Sequence, residues 1–133
     1  MDTVRVLVFD DDLVHHPNFL APTFSGLEHR AAGAFRIESH YRAHADHAIA
    51  EVVALTPTLV FMDFQMRGHG DGHLATAALR QRWDHGALPI LGISSDARLN
   101  RLLLMAGATD SCPKMALPDE LPDLFARLLA LHG

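Results

Sequence analysis

The stretch VRVLVFDDDL, residues 4–13, decides how this chain is read: an apolar, β-branched run broken only by Arg5 ends abruptly in Asp10, Asp11 and Asp12. Continuous apolar character from Val4 to Phe9 is the pattern of a strand buried on both faces of a parallel sheet, because a sheet with one wet face would alternate. Two further runs have the same form. Leu59-Val60-Phe61-Met62 ends at Asp63, and Pro89-Ile90-Leu91-Gly92-Ile93 ends at Ser94 and Ser95.

Helical patterns fill the spaces between these runs. Ala45 to Leu55 sets Ala48, Ile49, Val52, Val53 and Leu55 on one side, and Gly72 to Trp83 does the same with Leu74, Ala77, Ala78 and Leu79. Phe35 to Tyr41 alternates more weakly and suits an edge strand, Asp96 to Ala106 reads as a helix, and Thr109 to Cys112 as a short strand. Pro118-Asp119-Glu120 opens a last helix, with proline and acids where amide groups lack partners and the dipole end is positive. Leu121, Leu124, Phe125, Leu128 and Leu129 form its apolar stripe, and Pro122, set early in that run, is read as marking the true first turn. Five strands alternating with five helices predict an α/β fold, a three-layer sandwich around a parallel sheet. Right-handed crossovers bring the carboxyl ends of parallel strands to one edge. Asp10, Asp11, Asp12, Asp63, Ser94 and Ser95 follow the last apolar residues of their strands, so they are expected to gather there.

Composition narrows the function classes. The 133 residues suffice for one domain with a real core, no internal repeat is visible, and residues 1–133 are taken as that domain with no separate effector region. An apolar fraction of 49% with 20% charged residues belongs to a folded chain rather than a disordered one. A net charge of −5, with 11 Lys and Arg scattered along the chain, argues against direct nucleic-acid binding. No leader-like start and no apolar run of the ~20 residues a membrane span needs is present. The single Cys112 has no partner for an internal disulfide, and a reduced cytoplasm is the expected setting.

Four pieces in register, VLVFDDD (6–12), LVFMDFQM (59–66) with GDG (70–72), PILGISS (89–95) and GATDSCPK (107–114), resemble the receiver domains of two-component response regulators over essentially the whole chain. That resemblance implies a flavodoxin-like sheet of order 2-1-3-4-5. It implies that Asp63 accepts a phosphoryl group, that Asp10, Asp11, Asp63 and the backbone carbonyl of Gln65 hold Mg²⁺, and that Ser94 and Lys114 assist the transfer. The implied partners are a histidine kinase or histidine phosphotransfer protein and a downstream protein target. A homodimer through the Asp96–Ala106 helix and the C-terminal helix is the further partner reading, because Leu102-Leu103-Leu104-Met105 carries more apolar surface than a core stripe needs.

The charge arithmetic agrees with those roles. Three converging carboxylates repel one another, so at least one takes up a proton unless a cation joins them. Mg²⁺ prefers hard oxygen ligands of this kind.

Several positions depart from the receiver pattern. Met115 stands where proline usually follows the lysine, Ser111 where an aromatic residue is common, and Ser95 where a smaller residue is usual. Met66-Arg67-Gly68-His69-Gly70-Asp71-Gly72 replaces the usual loop after the phosphorylated aspartate, and the first helix is expected to be delayed, broken or displaced within the long segment from Leu13 to Ala34. Two alternatives follow. A pseudo-receiver would signal by binding alone, and a haloacid-dehalogenase-like phosphatase, whose first motif VFDDDL resembles, would use Asp10 as nucleophile and Asp12 as acid or base. The phosphatase reading lacks the Gly-Thr expected at Leu13-Val14 and leaves Asp63 unexplained. Of the ten histidines, His40, His44 and His47 straddle a strand-to-helix junction and His69 and His73 lie near the site. They are read as solvated surface rather than a metal site, with His44 and His47 on one helix face.

Overall fold

The computed structural model describes residues 2–132. Five strands, β1 (Asp2–Phe9), β2 (Phe35–Arg42), β3 (Leu59–Met62), β4 (Ile90–Gly92) and β5 (Asp110–Ser111), alternate with five helices, α1 (Ala21–Arg30), α2 (Ala48–Leu55), α3 (Gly72–Arg80), α4 (Ala97–Ala106) and α5 (Leu117–Leu131). All strand pairs are parallel, in the order β2-β1-β3-β4-β5. The expected α/β sandwich of order 2-1-3-4-5 is therefore the fold observed.

Alternation along each strand divides the core into two layers. Val4, Val6 and Val8 of β1, with Leu59, Phe61 and Leu91, pack on Phe24 and Leu27 of α1 and on Leu121, Leu124, Phe125 and Leu128 of α5. Leu7 and Phe9, with Val60, Met62 and Ile90, face Ala48 and Val52 of α2, Leu79 of α3 and Leu103 of α4. Burial on both faces explains the unbroken apolar runs.

The delay expected of the first helix is observed: it starts at Ala21 because two 3₁₀ turns, Leu13–His15 and Pro17–Phe19, occupy the segment before it. Two departures from the sequence reading have local causes. Pro122 does not mark the first turn of α5. Leu117, fully buried, anchors the helix start after a 3₁₀ turn at Lys114–Ala116, and Pro122 lies inside the helix, where it removes one backbone hydrogen bond. α2 begins only at Ala48, so His44 and His47 precede the helix rather than sharing a face of it.

Both sheet edges are short or covered. β5 has two residues. On β2, the carboxylate of Glu28 from α1 accepts the Ile37 N–H at 2.7 Å, while Glu38 pairs with Arg5 and Arg42 with Glu51. Cys112 is buried, its thiol 3.2 Å from a Glu120 carboxylate oxygen, and burial followed by that carboxylate pushes it up to about 12. Such a thiol is chemically quiet. Among the described residues no helix is long and apolar enough to cross a membrane.

Candidate functional site

Register brings the site together. Phe9 lies opposite Met62 and Met62 opposite Gly92, so Asp10, Asp63 and Ser94 emerge just past the last paired residues of three adjacent strands. The ladder continues for one more step, with Asp63 N–H donating to the Phe9 carbonyl at 2.9 Å and Ile93 N–H to Met62 at 3.0 Å. Cys112 N–H does the same to Gly92 at 2.9 Å, which delivers Lys114 to the same edge. The result is a cleft of about 600 Å³ lined by Asp11, Asp63, Gln65, Arg67, Ser94, Ser95 and Lys114 among others.

Each acidic residue has a distinct environment. Asp10 is fully buried beneath the cleft, and its Oδ1 accepts the Asp12 N–H at 2.8 Å and the Leu13 N–H at 3.0 Å. Its Oδ2 lies 2.7 Å from Lys114 Nζ but outside hydrogen-bond geometry, a buried acceptor balanced by charge with no directed donor. Asp11 is half-buried and accepts the Arg67 N–H at 3.0 Å. Asp63, 7% exposed, holds Lys114 Nζ at 3.6 Å and accepts the Phe64 N–H at 2.9 Å. Asp12 is exposed at the rim of the cleft, 3.8 Å from His16.

One carboxylate oxygen from each of Asp10, Asp11 and Asp63 can be chosen so that all three lie within 4.8 Å of one another. Burial pushes Asp63 up to about 6, reinforced by the charge of Asp10 and opposed by Lys114. Burial alone lowers Lys114, but its contact with Asp10 and the charge of Asp63 more than reverse this, so it stays protonated. Asp10 and Asp63 thus share one ammonium group, while Asp11 faces the exposed guanidinium of Arg67 at 3.7 Å. An all-oxygen donor set, a net negative charge and an acceptor without a directed donor fit a hard divalent cation.

The hydroxyl of Ser94 is poised rather than spent. Its Oγ accepts the Asp96 N–H at 3.1 Å, which leaves the hydroxyl proton free for an oxygen entering the cleft. Ser94 itself is held by Asn100 of α4, which donates from Nδ2 to the Ser94 carbonyl and accepts the Ser94 N–H at Oδ1, both at 2.8 Å. Sequence reasoning missed Asn100. Its signal was a polar residue, 4% exposed in the structure, three positions before the core residue Leu103 of α4. Arg67 was also missed as the residue that ties the loop after β3 to Asp11. Gln65 and Ser95 line the cleft and are exposed.

Gly72 closes the site from behind. A Cβ there would meet the Asp63 carbonyl oxygen at 1.8 Å, and the Gly72 N–H donates to the Phe64 carbonyl at 2.6 Å. Only glycine lets α3 start this close to the strand end. The histidines do not all behave as solvated surface. His73 stacks on Phe64 with ring centres 4.7 Å apart, and His44 and His69 meet at Asp46.

The structure is similar to the receiver domain of NtrX from Brucella abortus, at 26% identity with a TM-score of 0.74, covering 94% of this chain and 98% of that one. This chain has a receiver-domain fold. The receiver fold is met again in a chain from Chloroflexus aurantiacus J-10-fl assigned as a response regulator, with 25% identity, a TM-score of 0.72, and 97% and 99% of the two chains covered. A two-component response regulator from Clostridium difficile, at 19% identity and a TM-score of 0.62 over 96% and 94% of the chains, has the same fold. No protein-family model matches the sequence, and no curated protein matches it. The receiver likeness therefore rests on the three-dimensional arrangement together with the four motifs.

Proposed function

We propose that this receiver domain accepts a phosphoryl group on Asp63 from a histidine kinase or histidine phosphotransfer protein and signals through protein–protein contacts. The observation that carries this reading is the convergence of Asp10, Asp11 and Asp63 on one edge with Lys114 and Ser94 beside them. Asp63 is the acceptor in this reading because it lines the cleft, whereas Asp10 has no exposed surface for an in-line attack. That contrast also weighs against the phosphatase alternative.

In the reaction, a carboxylate oxygen of ionised Asp63 attacks phosphorus as the bond to the donor's imidazole nitrogen breaks, leaving an acyl phosphate on the aspartate. Lys114 Nζ, now shared between Asp10 and Asp63, neutralises charge on the phosphoryl oxygens. Ser94 Oγ donates its free proton to another of those oxygens. Asn100 keeps Ser94 in place while the acyl phosphate draws the loop toward the site. Asp10, Asp11, Asp63 and the Gln65 carbonyl would hold Mg²⁺, which supplies charge neutralisation at the transferring group. Output passes through the face of α4 and α5, either to a second copy of this chain or to a downstream protein.

Incubation with Mg²⁺ and a small phosphodonor, followed by hydroxylamine trapping and peptide mapping, tests this reading. Modification of Asp63, lost in Asp63→Asn, is the expected result. Modification at Asp10 would replace it with the phosphatase reading, and no modification at either residue would leave a binding-only pseudo-receiver.

A further inference from the structure

A second cluster of ligand-type side chains stands on the same edge of the molecule, apart from the acidic site. His69 Nδ1 lies 2.6 Å from Asp46 Oδ2, and His44 Nδ1 lies 3.6 Å from the same oxygen. The two imidazole rings are stacked, with centres 4.0 Å apart and planes 12° from parallel. A proton-bridged His–Asp pair accounts for His69 and Asp46. His44 arrives from the loop after β2 with its Nδ1 near the same carboxylate oxygen, where that nitrogen also accepts the Asp46 backbone N–H at 3.3 Å, a bond that a bound ion would replace.

The dimensions decide what such a triangle can hold. One donor atom from each of His44, Asp46 and His69 lies within 4.8 Å of the other two. A tetrahedral site with bonds of about 2.0 Å needs donor–donor edges of about 3.3 Å. The observed edges of 2.6 and 3.6 Å to Asp46 bracket that value, so these separations suit such a site, and what remains is to turn the stacked imidazoles toward a common point. The donor set is also different in kind from the all-oxygen one at Asp10, Asp11 and Asp63. Two imidazoles and a carboxylate suit a borderline first-row cation, whereas Mg²⁺ prefers oxygen alone. All three side chains are partly exposed, which gives an entry route and leaves a fourth position for water.

We propose that His44, Asp46 and His69 form a second cation site selective for Zn²⁺ or a similar transition-metal ion, which clips the loop after β2 to the loop after β3. Binding replaces the proton shared by His69 and Asp46. It also unstacks the two rings, because each nitrogen lone pair lies in its ring plane and parallel rings cannot both aim at one ion. The site does not depend on phosphorylation and is tested with the metal alone.

The experiment uses the tag-free full chain in excess Mg²⁺, titrated with Zn²⁺ against a chromophoric chelator, with Co²⁺ as a spectroscopic substitute. One equivalent of Zn²⁺ should bind, and Co²⁺ should give the intense visible bands of a tetrahedral site. His44→Ala and His69→Ala should each weaken binding by more than the roughly 10- to 100-fold that even outer-sphere changes cost, with far-UV circular dichroism confirming that both variants fold. His29→Ala, at an exposed histidine elsewhere, and Asp63→Asn should bind as the parent does. No stoichiometric binding, or binding that survives loss of His44 and His69, overturns the proposal. Loss of binding in Asp63→Asn would move the ion to the acidic cluster and overturn it equally.

Discussion

Asp63 carries a conflict between burial and charge that can be measured directly. Its carboxyl is pushed from the ordinary 3.8 up to about 6, first by burial and then by the neighbouring charge of Asp10. A folded value above the unfolded one means that the contribution of this group to stability is fully present below about pH 4. It is lost as pH rises through about 6, and at about 1.4 kcal/mol per pKa unit the whole effect is about 3 kcal/mol. In metal-free protein, Asp63→Asn is therefore expected to be more stable than the parent at pH 7, with the gap shrinking toward pH 4. Urea unfolding at a series of pH values checks this, and a gap independent of pH would show that Asp63 is not strained by ionisation. Mg²⁺ should stabilise the parent at pH 7 and have a smaller effect on Asp63→Asn.

At the scale of elements, the loop after β4 is fixed by one side chain on the helix that follows. Asn100 makes two buried hydrogen bonds to the backbone of Ser94, so Asn100→Ala leaves a buried N–H and carbonyl unpaired and should cost about 1–3 kcal/mol. An unchanged urea midpoint would remove Asn100 from this role. Gly72→Ala should be harsher, at least about 3 kcal/mol, because its Cβ meets backbone rather than a flexible side-chain tip. A thermal melt close to that of the parent would contradict the close approach of α3 to Asp63. Strands and helices were legible because burial on two faces writes continuous apolar runs and amphipathic helices write a spaced stripe. The acidic residues were legible because they sit where those runs stop. Asn100 was hidden, since a polar letter between Arg98 and Arg101 in this helix has the same appearance whether it faces solvent or a loop. The approach of His44 to His69 was hidden too, because it depends on how two loops fold toward each other and no periodicity records that. Pro122 misled because burial of Leu117 set the start of α5 and outweighed the local preference of proline.

At the scale of the whole molecule, the side of α4 turned from the sheet exposes apolar surface: Met105, 82% exposed, stands at its middle beside the exposed Arg98 and Arg101, with Leu102 and Leu104 at its flanks. Trapped with beryllofluoride, the parent is expected to self-associate with increasing concentration through this face. Met105→Glu should shift the sedimentation profile to monomer, whereas a profile untouched by that charge would place any self-contact elsewhere. The opposite ends of the molecule behave otherwise. Free strand edges are templates for adding further strands, yet here one edge is two residues long and the other has the amide of Ile37 claimed by Glu28 and paired charges along it. Crowded storage should therefore yield reversible, helix-mediated oligomers rather than fibrils, and the carboxylate of Glu28 acts as a guard against amyloid-like growth.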